Sequence, residues 1–225
     1  MSNGLKYRMI GPHRAGRTVG ISGVANEPNV FYIGVNNGGV WKTTDYGHTW
    51  KPIFDAQNTG SVGDVAVAPS NANVIYVGSG EGIQRPDLSI GNGLYKSSDG
   101  GATFTEISLP LTATGNKHCP NNIEIGSDNK IWLATINSVV FGDGGGKIFS
   151  STNGNTFVDE YTISGGDRTQ IAVSNQTADK VYVLAELTEG GVTMVGTTNG
   201  FTTTSTLALP IDADSGIPAN DFCRG

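Results

Sequence analysis

The sequence predicts an all-β chain of about four four-stranded antiparallel blades arranged as a β-propeller, either an open arc or a small closed ring. Three observations carry that prediction. A short β-type run ending in a Tyr-Val-Gly-like triplet recurs four times. Its aromatic residue stands at Tyr32, Tyr76, Trp132 and Tyr182, at spacings of 44, 56 and 50 residues, the period of one blade. Glycine supplies 33 of the 225 residues, and Ser, Thr and Asn fill the gaps between short apolar runs, a mix that suits tight turns joining short strands. No stretch shows a convincing helical period.

The elements follow in chain order. Tyr7 to Ile10 reads as a lone strand of the kind that completes the last blade of a ring, within a closing segment over 1–18. The first blade, 19–57, opens with an inner strand from Val19 to Val24 and turns through Asn26-Glu27-Pro28-Asn29. It continues through Val30 to Gly34 and Val40 to Thr43, and ends in an outer strand from Thr49 to Ile53. The second, 61–109, repeats this with Val62 to Ala68, a turn over Pro69 to Asn73, Val74 to Gly78, Leu94 to Ser97, and Phe104 to Ile107. In the third, 120–161, the inner strand is Ile123 to Gly126 and the outer one Phe157 to Tyr161. In the fourth, 168–209, they are Gln170 to Ser174 and Thr204 to Leu209. Residues 210–225 read as the start of a further blade or a tail, with Phe222-Cys223 opening it. The whole is a single propeller domain or part of one, and a fragment of a longer protein is favoured. An open arc exposes sheet faces that normally pack on neighbours. Self-association, or the remainder of a longer propeller, is the expected cover.

Composition narrows the function classes. A net charge of −6 and only 14 Lys and Arg, none clustered, argue against nucleic acid as a partner. No apolar run approaches the roughly 20 residues that span a bilayer. The start, Met1-Ser2-Asn3-Gly4, lacks the charged and apolar regions of a signal peptide, so a leader is expected to be absent from this chain. Cys119 and Cys223 have no CxxC neighbour, which argues against zinc and leaves open whether they are free or bonded, with free thiols favoured. His13, His48 and His118 show no metal spacing, and neither a phosphate loop nor a nucleophile elbow is present. No cofactor and no metal are expected. Asp143, in a run of glycines, reads as a turn residue rather than a calcium ligand.

A glycine turn closes each blade. The first reads Thr43-Thr44-Asp45-Tyr46-Gly47-His48-Thr49-Trp50 and the second Ser97-Ser98-Asp99-Gly100-Gly101-Ala102-Thr103-Phe104. In the third, Thr152 replaces the Asp, and the fourth, Thr197 to Phe201, keeps little beyond the glycine. The first two copies fit Ser/Thr-x-Asp-x-Gly-x-Thr-Trp/Phe and so resemble the Asp-box (BNR-repeat) turns of sialidase-like and sortilin-like propellers. Asp45, Gly47, Trp50, Asp99, Gly101 and Phe104 are read as structural. Asp suits the backbone N–H groups of a tight turn, Gly tolerates positive φ, and the aromatic plugs the space between sheets. The resemblance puts these turns on the face away from the ligand site, so neither Asp is expected to be catalytic.

Further segments resemble large secreted bacterial propellers: Tyr7 to Pro12 followed by Gly16-Arg17, and Gly78 to Gly82 leading to Gly93 to Ser97. Asn121 to Gly126 and Ile131 to Thr135 resemble surface proteins of Bacteroidetes-type bacteria. An extracellular or cell-surface location is what this implies. Sialidase chemistry is not expected, because the arginines do not gather into a carboxylate clamp and the Arg-Ile-Pro signature is missing. Xyloglucan-hydrolysing propellers set a catalytic Asp in a first-blade segment resembling Thr-Asp-x-Gly-Gly-x-Tyr-Arg. Here the matching stretch is Val35-Asn36-Asn37-Gly38-Gly39-Val40-Trp41-Lys42, with Asn36 at the Asp position. An amide cannot serve as general base, and inverting hydrolysis needs two carboxyl groups. No catalytic residue is assigned.

The loops between second and third strands should gather on one face. They offer Asn36, Asn37, Glu81, Gln84, Arg85 and Asp87 as ligand-binding candidates, a mixed polar set suited to sugar hydroxyls or a protein partner. Arg17 and Asp64 begin adjacent inner strands and are expected to pair near the central channel. The expected function is a non-catalytic secreted or surface module binding glycan or protein. The alternatives are a xyloglucanase-like glycoside hydrolase with its second carboxylate at Glu81 or Asp87 or in further blades, and a structural, self-assembling component.

Overall fold

The computed structural model describes residues 17–80 and 89–211. Sixteen strands and no helix are present among the described residues, forming four antiparallel four-stranded sheets. Each sheet is a consecutive meander. The first holds β1 (Thr18–Val24), β2 (Glu27–Val35), β3 (Gly39–Thr43) and β4 (Lys51–Pro52). The second holds β5 (Asp64–Val67), β6 (Ile75–Ser79), β7 (Gly93–Ser97) and β8 (Thr105–Ile107). The third holds β9 (Cys119–Ile125), β10 (Ile131–Ile136), β11 (Lys147–Ser151) and β12 (Val158–Thr162). The fourth holds β13 (Gly166–Val173), β14 (Val181–Leu187), β15 (Val192–Thr197) and β16 (Ser205–Thr206). These are four blades of a β-propeller, as the repeat predicts, and they fit an open arc.

Two local readings differ from expectation. The expected turn at Asn26–Asn29 is shorter, because Glu27 already pairs with Val24 and begins β2. Pro28 fits there because it precedes the stretch of β2, from Phe31 on, that pairs with β3. The outer strands β4 and β16 are only two residues long, against the five or six expected. Short edges, one of them ending in Pro52, limit the unpaired backbone available for pairing with other chains.

Side chains alternate across each sheet, so the core forms as three layers between successive blades rather than at one centre. Val30, Tyr32 and Val40 meet Val62, Val65, Val77 and Tyr95 in the first layer. In the second, Tyr76 and Leu94 meet Ile123, Leu133, Phe149 and Phe157. The third sets Trp132 and Ile148 against Ile171, Val181, Val183 and Phe201. Each fully buried side chain of this size contributes roughly 1.5–3 kcal/mol. No helix among the described residues is long and apolar enough to cross a membrane.

A polar staple is added at two of the layers. Tyr32 pairs in register with Lys42, and both donate to the Gly100 carbonyl of the next blade, at 3.3 and 3.1 Å, with the ammonium 5.2 Å from the ring centre. Tyr76 and Lys96 do the same to Gly154, each at 3.2 Å. The third blade changes the device. Trp132 faces Ser150, and Lys130 lies 4.3 Å from the indole and bonds Asp179 of the fourth blade at 2.9 Å.

Candidate functional site

The blades have two unlike ends. At one end, the hairpin between first and second strands bonds the turn between third and fourth: Tyr46 N to Asn29 O at 3.1 Å, Gly100 N to Asn73 O at 3.0 Å, Gly200 N to Asp179 O at 3.0 Å. At the other, the ends of the second-to-third-strand hairpins bond the connections between blades. Gly39 N meets Gly60 O at 3.0 Å, Ser61 Oγ meets Ser89 O at 3.4 Å, and Thr188 N meets Gly165 O at 2.8 Å. The first end is called the turn face here, the second the loop face.

On the turn face, Asp45 Oδ1 accepts from Thr43 Oγ1 at 2.8 Å and Thr49 N at 2.9 Å, and Oδ2 accepts from Thr49 Oγ1 at 2.6 Å. Asp99 repeats this with Ser97 and Thr103. The threonine hydrogen bonds hold both carboxyls down at about 2. Gly47 and Gly101 take φ of +85° and +89°. Phe104 packs edge-on against Phe54, with ring centres 5.0 Å apart, whereas Trp50 stays 36% exposed.

The other two turns correct the sequence reading. Asn153, not Thr152, occupies the Asp position: its Oδ1 accepts from Ser151 Oγ at 3.2 Å and Thr156 N at 2.9 Å, in a turn one residue shorter. The fourth turn keeps more than its glycine. Asn199 Oδ1 accepts from Thr197 Oγ1 and Thr203 N, and its Nδ2 donates to Thr203 Oγ1 at 2.9 Å. The signal was a hydroxyl residue two before an Asn and a Thr three or four after it.

On the loop face, Asn36 follows β2 and donates its backbone N–H to Arg17 O at 2.9 Å. The residue is 7% exposed, and both amide atoms are buried with no hydrogen-bond partner among the described residues. Asn37 is exposed and sits at φ +54°, opening the tight turn into β3. The other ligand candidates, Glu81, Gln84, Arg85 and Asp87, lie outside the described residues, as does Cys223. Cys119 is a free, buried thiol in β9 whose pKa burial pushes up.

Asp64 and Asp143, read in the sequence as a partner of Arg17 and as a turn residue, have further partners that the sequence did not indicate. At the inner strands, Asp64 Oδ2 accepts from Asn122 Nδ2 at 3.0 Å and Ile123 N at 2.8 Å, while Oδ1 accepts from Val65 N at 2.8 Å. Asn122 Oδ1 in turn accepts from Ile171 N at 2.7 Å, so three inner strands are stitched together. Asp64 thus bonds the third blade. Burial raises its pKa, and burial plus the Asp64 charge lifts Glu124 to about 6. Asp64 and Asn122 border two shallow clefts of ≈370 and ≈190 Å³. Asp143 is on the third-blade loop. Asp143 Oδ2 accepts from Thr112 at 2.8 Å, from Asn116 at 3.2 Å and from Thr114. Beside it His118 donates to Gly144 O at 2.8 Å, and burial holds its pKa down. No group of three or more His, Cys, Asp or Glu that would hold a metal ion occurs among the described residues. Among the described residues, the loop face offers hydrogen bonding, apolar contact and the Asp143 carboxylate.

No family model matches the chain. By sequence it is 31% identical over 155 residues to a xyloglucanase of Hypocrea jecorina, covering 63% of this chain and 17% of that enzyme. It is 26% identical over 224 residues to a xyloglucanase of Paenibacillus sp, covering 85% and 20%. The chain therefore spans a fifth or less of the length of these curated relatives. Among solved structures it resembles a GH74 enzyme of Niastella koreensis, with a TM-score of 0.64 and 22% identity over 83% of this chain and 29% of that one. A GH74 xyloglucanase of Xanthomonas campestris gives 0.65 and 17%, over 87% and 31%. YCF48 from Cyanidioschyzon merolae gives 0.54 and 17%, over 88% and 58%. At these identities the likeness shows the propeller fold.

Proposed function

We propose that this chain is part of a xyloglucan-directed β-propeller of the glycoside hydrolase kind, and that its loop face holds a stretch of neutral β-glucan. The observation behind this reading is that both curated relatives are xyloglucanases, one of them matched over 85% of this chain. A link to carbohydrate chemistry fits those relatives better than adhesion to a protein. The Asp45 and Asp99 turns are then Asp-box turns bracing the blades, and a secreted location goes with a wall polysaccharide as ligand.

Position 36 limits how far the chemistry goes. Asn36 occupies the place where the resemblance puts a carboxylate, and an amide takes no proton from water at neutral pH. The described part of the loop face therefore contributes binding. Hydrolysis requires a carboxyl pair from elsewhere, with Glu81 and Asp87 the candidates in this chain.

The test is a calorimetric titration of the full chain with xyloglucan oligosaccharides, run beside an assay for reducing ends released from xyloglucan. Binding without release is the expected result. Release abolished by Glu81→Gln assigns catalysis to this chain, and failure to bind xyloglucan or any other β-glucan refutes the reading.

A further inference from the structure

The loop between β10 and β11 places three consecutive apolar side chains in water: Val139, Val140 and Phe141 are 48%, 59% and 55% exposed. Single exposed apolar residues are ordinary, but a contiguous run at a loop tip is not. A slack loop would fold such side chains inward. This one is held. Ser138, 2% exposed, accepts from the Val140 and Phe141 N–H groups on its hydroxyl at 3.4 and 3.3 Å. Gly142 N donates to Ser138 O at 2.7 Å, and Ser138 N to Asp143 O at 2.8 Å. Asp143 ties the base of the tip to the connection from the second blade through Thr112, Thr114 and Asn116. Asn137 Oδ1 accepts from Gly145 N at 2.8 Å.

We propose that Val139, Val140 and Phe141 form a stacking platform for a sugar ring of the glucan chain on the loop face, a role that rests on the glucan reading above. The argument is one of matching chemistry. A pyranose ring presents C–H groups on its face and hydroxyls at its edge, so it suits an apolar tip flanked by hydroxyl and amide groups. Thr114 and Asn116 supply that rim. The segment 137–146 contains no Lys or Arg and one Asp, so nothing at the tip would attract a phosphorylated or carboxylated polymer. That composition selects a neutral chain. The tip also shares its face with Asn36 and Asn37.

The experiment is a titration of the full chain with xyloglucan oligosaccharides, comparing wild type, Phe141→Ala, Phe141→Trp and the double variant V139S/V140S. Phe141→Ala is expected to weaken binding about tenfold, and Phe141→Trp to restore it. The thermal midpoint should hold in all variants, because the side chains replaced are in water. Wild-type binding that Phe141→Ala and V139S/V140S both leave unchanged overturns the platform while leaving the glucan reading intact. No binding by wild type removes the glucan reading and the platform with it. Loss of binding together with a lowered midpoint in every variant, Phe141→Trp included, assigns the tip a folding role and overturns the platform as well.

Discussion

The turn face and the loop face are built from the same strands and differ in what they leave over. On the turn face Asp45, Asp99, Asn153 and Asn199 each direct their side-chain oxygens at their own turn. Carboxylate and amide hold the same geometry there, as befits a position whose oxygens are spent on bracing their own turn. On the loop face the Asn36 amide is buried without a partner among the described residues, and Val139 to Phe141 stand in water. The repeated motif braces its own turn, and the glucan reading proposed above puts recognition in the irregular loops between repeats.

That contrast can be broken by substitution, and the largest effect belongs to a matched pair of glycines. Gly154 and Gly142 have nearly equal φ, +69° and +66°. A Cβ at Gly154 would lie 2.1 Å from the Tyr76 hydroxyl inside the second interblade layer, whereas one at Gly142 meets nothing within 4 Å. Gly154→Ala should cost about 3 kcal/mol through overpacking added to backbone strain, and Gly142→Ala about 1 kcal/mol through strain alone. Urea unfolding of the two variants checks this, and equal losses would mean that the faces are not differently packed.

A smaller effect is expected at Asp99. Asp99→Ala should lower the thermal midpoint, and Asp99→Asn should recover most of the loss, because Asn199 already holds the equivalent turn with an amide. The pH dependence sharpens the point. With the folded carboxyls at about 2 against 3.8 unfolded, the stability they contribute is complete above 3.8 and lost as pH falls through 2. Asp99→Asn should reduce the acid loss in that window; an unchanged acid profile would count against the turn bonds as its source.

The smallest effect lies on the inner strand β9, with the opposite sign. Glu124 is raised from 4.5 to about 6, so the folded state holds its proton more tightly. Its contribution is present below 4.5 and lost as pH rises through 6. Glu124→Gln should remove that decline and gain at most about 1 kcal/mol at pH 7.5 once solvent screening is allowed for. Urea midpoints at pH 4.5 and 7.5 decide it, and a variant that still declines between them would place the titration elsewhere.

Much of the scaffold was legible beforehand because its signals are local. Tyr32 and Tyr76 announce the blade period, Asp45 and Asp99 announce their turns, and the apolar runs Val30 to Gly34 and Val74 to Gly78 place the second strands. The third and fourth turns were misread for an equally local reason. Aligning them on their glycines hid Asn153 behind a one-residue deletion and ended the fourth turn at Phe201, short of the Thr203 that completes it. The candidate site was less legible. Asn36 was found through its neighbours Gly38 and Gly39, but nothing in the run Asn137 to Gly146 tells a buried apolar triplet from an exposed one.

The sequence by itself determined the all-β class and the four-blade repeat, since period and residue chemistry are properties of short stretches. Only the tertiary structure decided which polar groups complete one another. Tyr76 finds its acceptor 78 residues away and Asp64 its donor 59 residues away. It also decided that Val139, Val140 and Phe141 face water. Hydrogen bonds and burial depend on atoms brought together from distant parts of the chain, and the pattern of a single stretch carries no record of what will be packed against it.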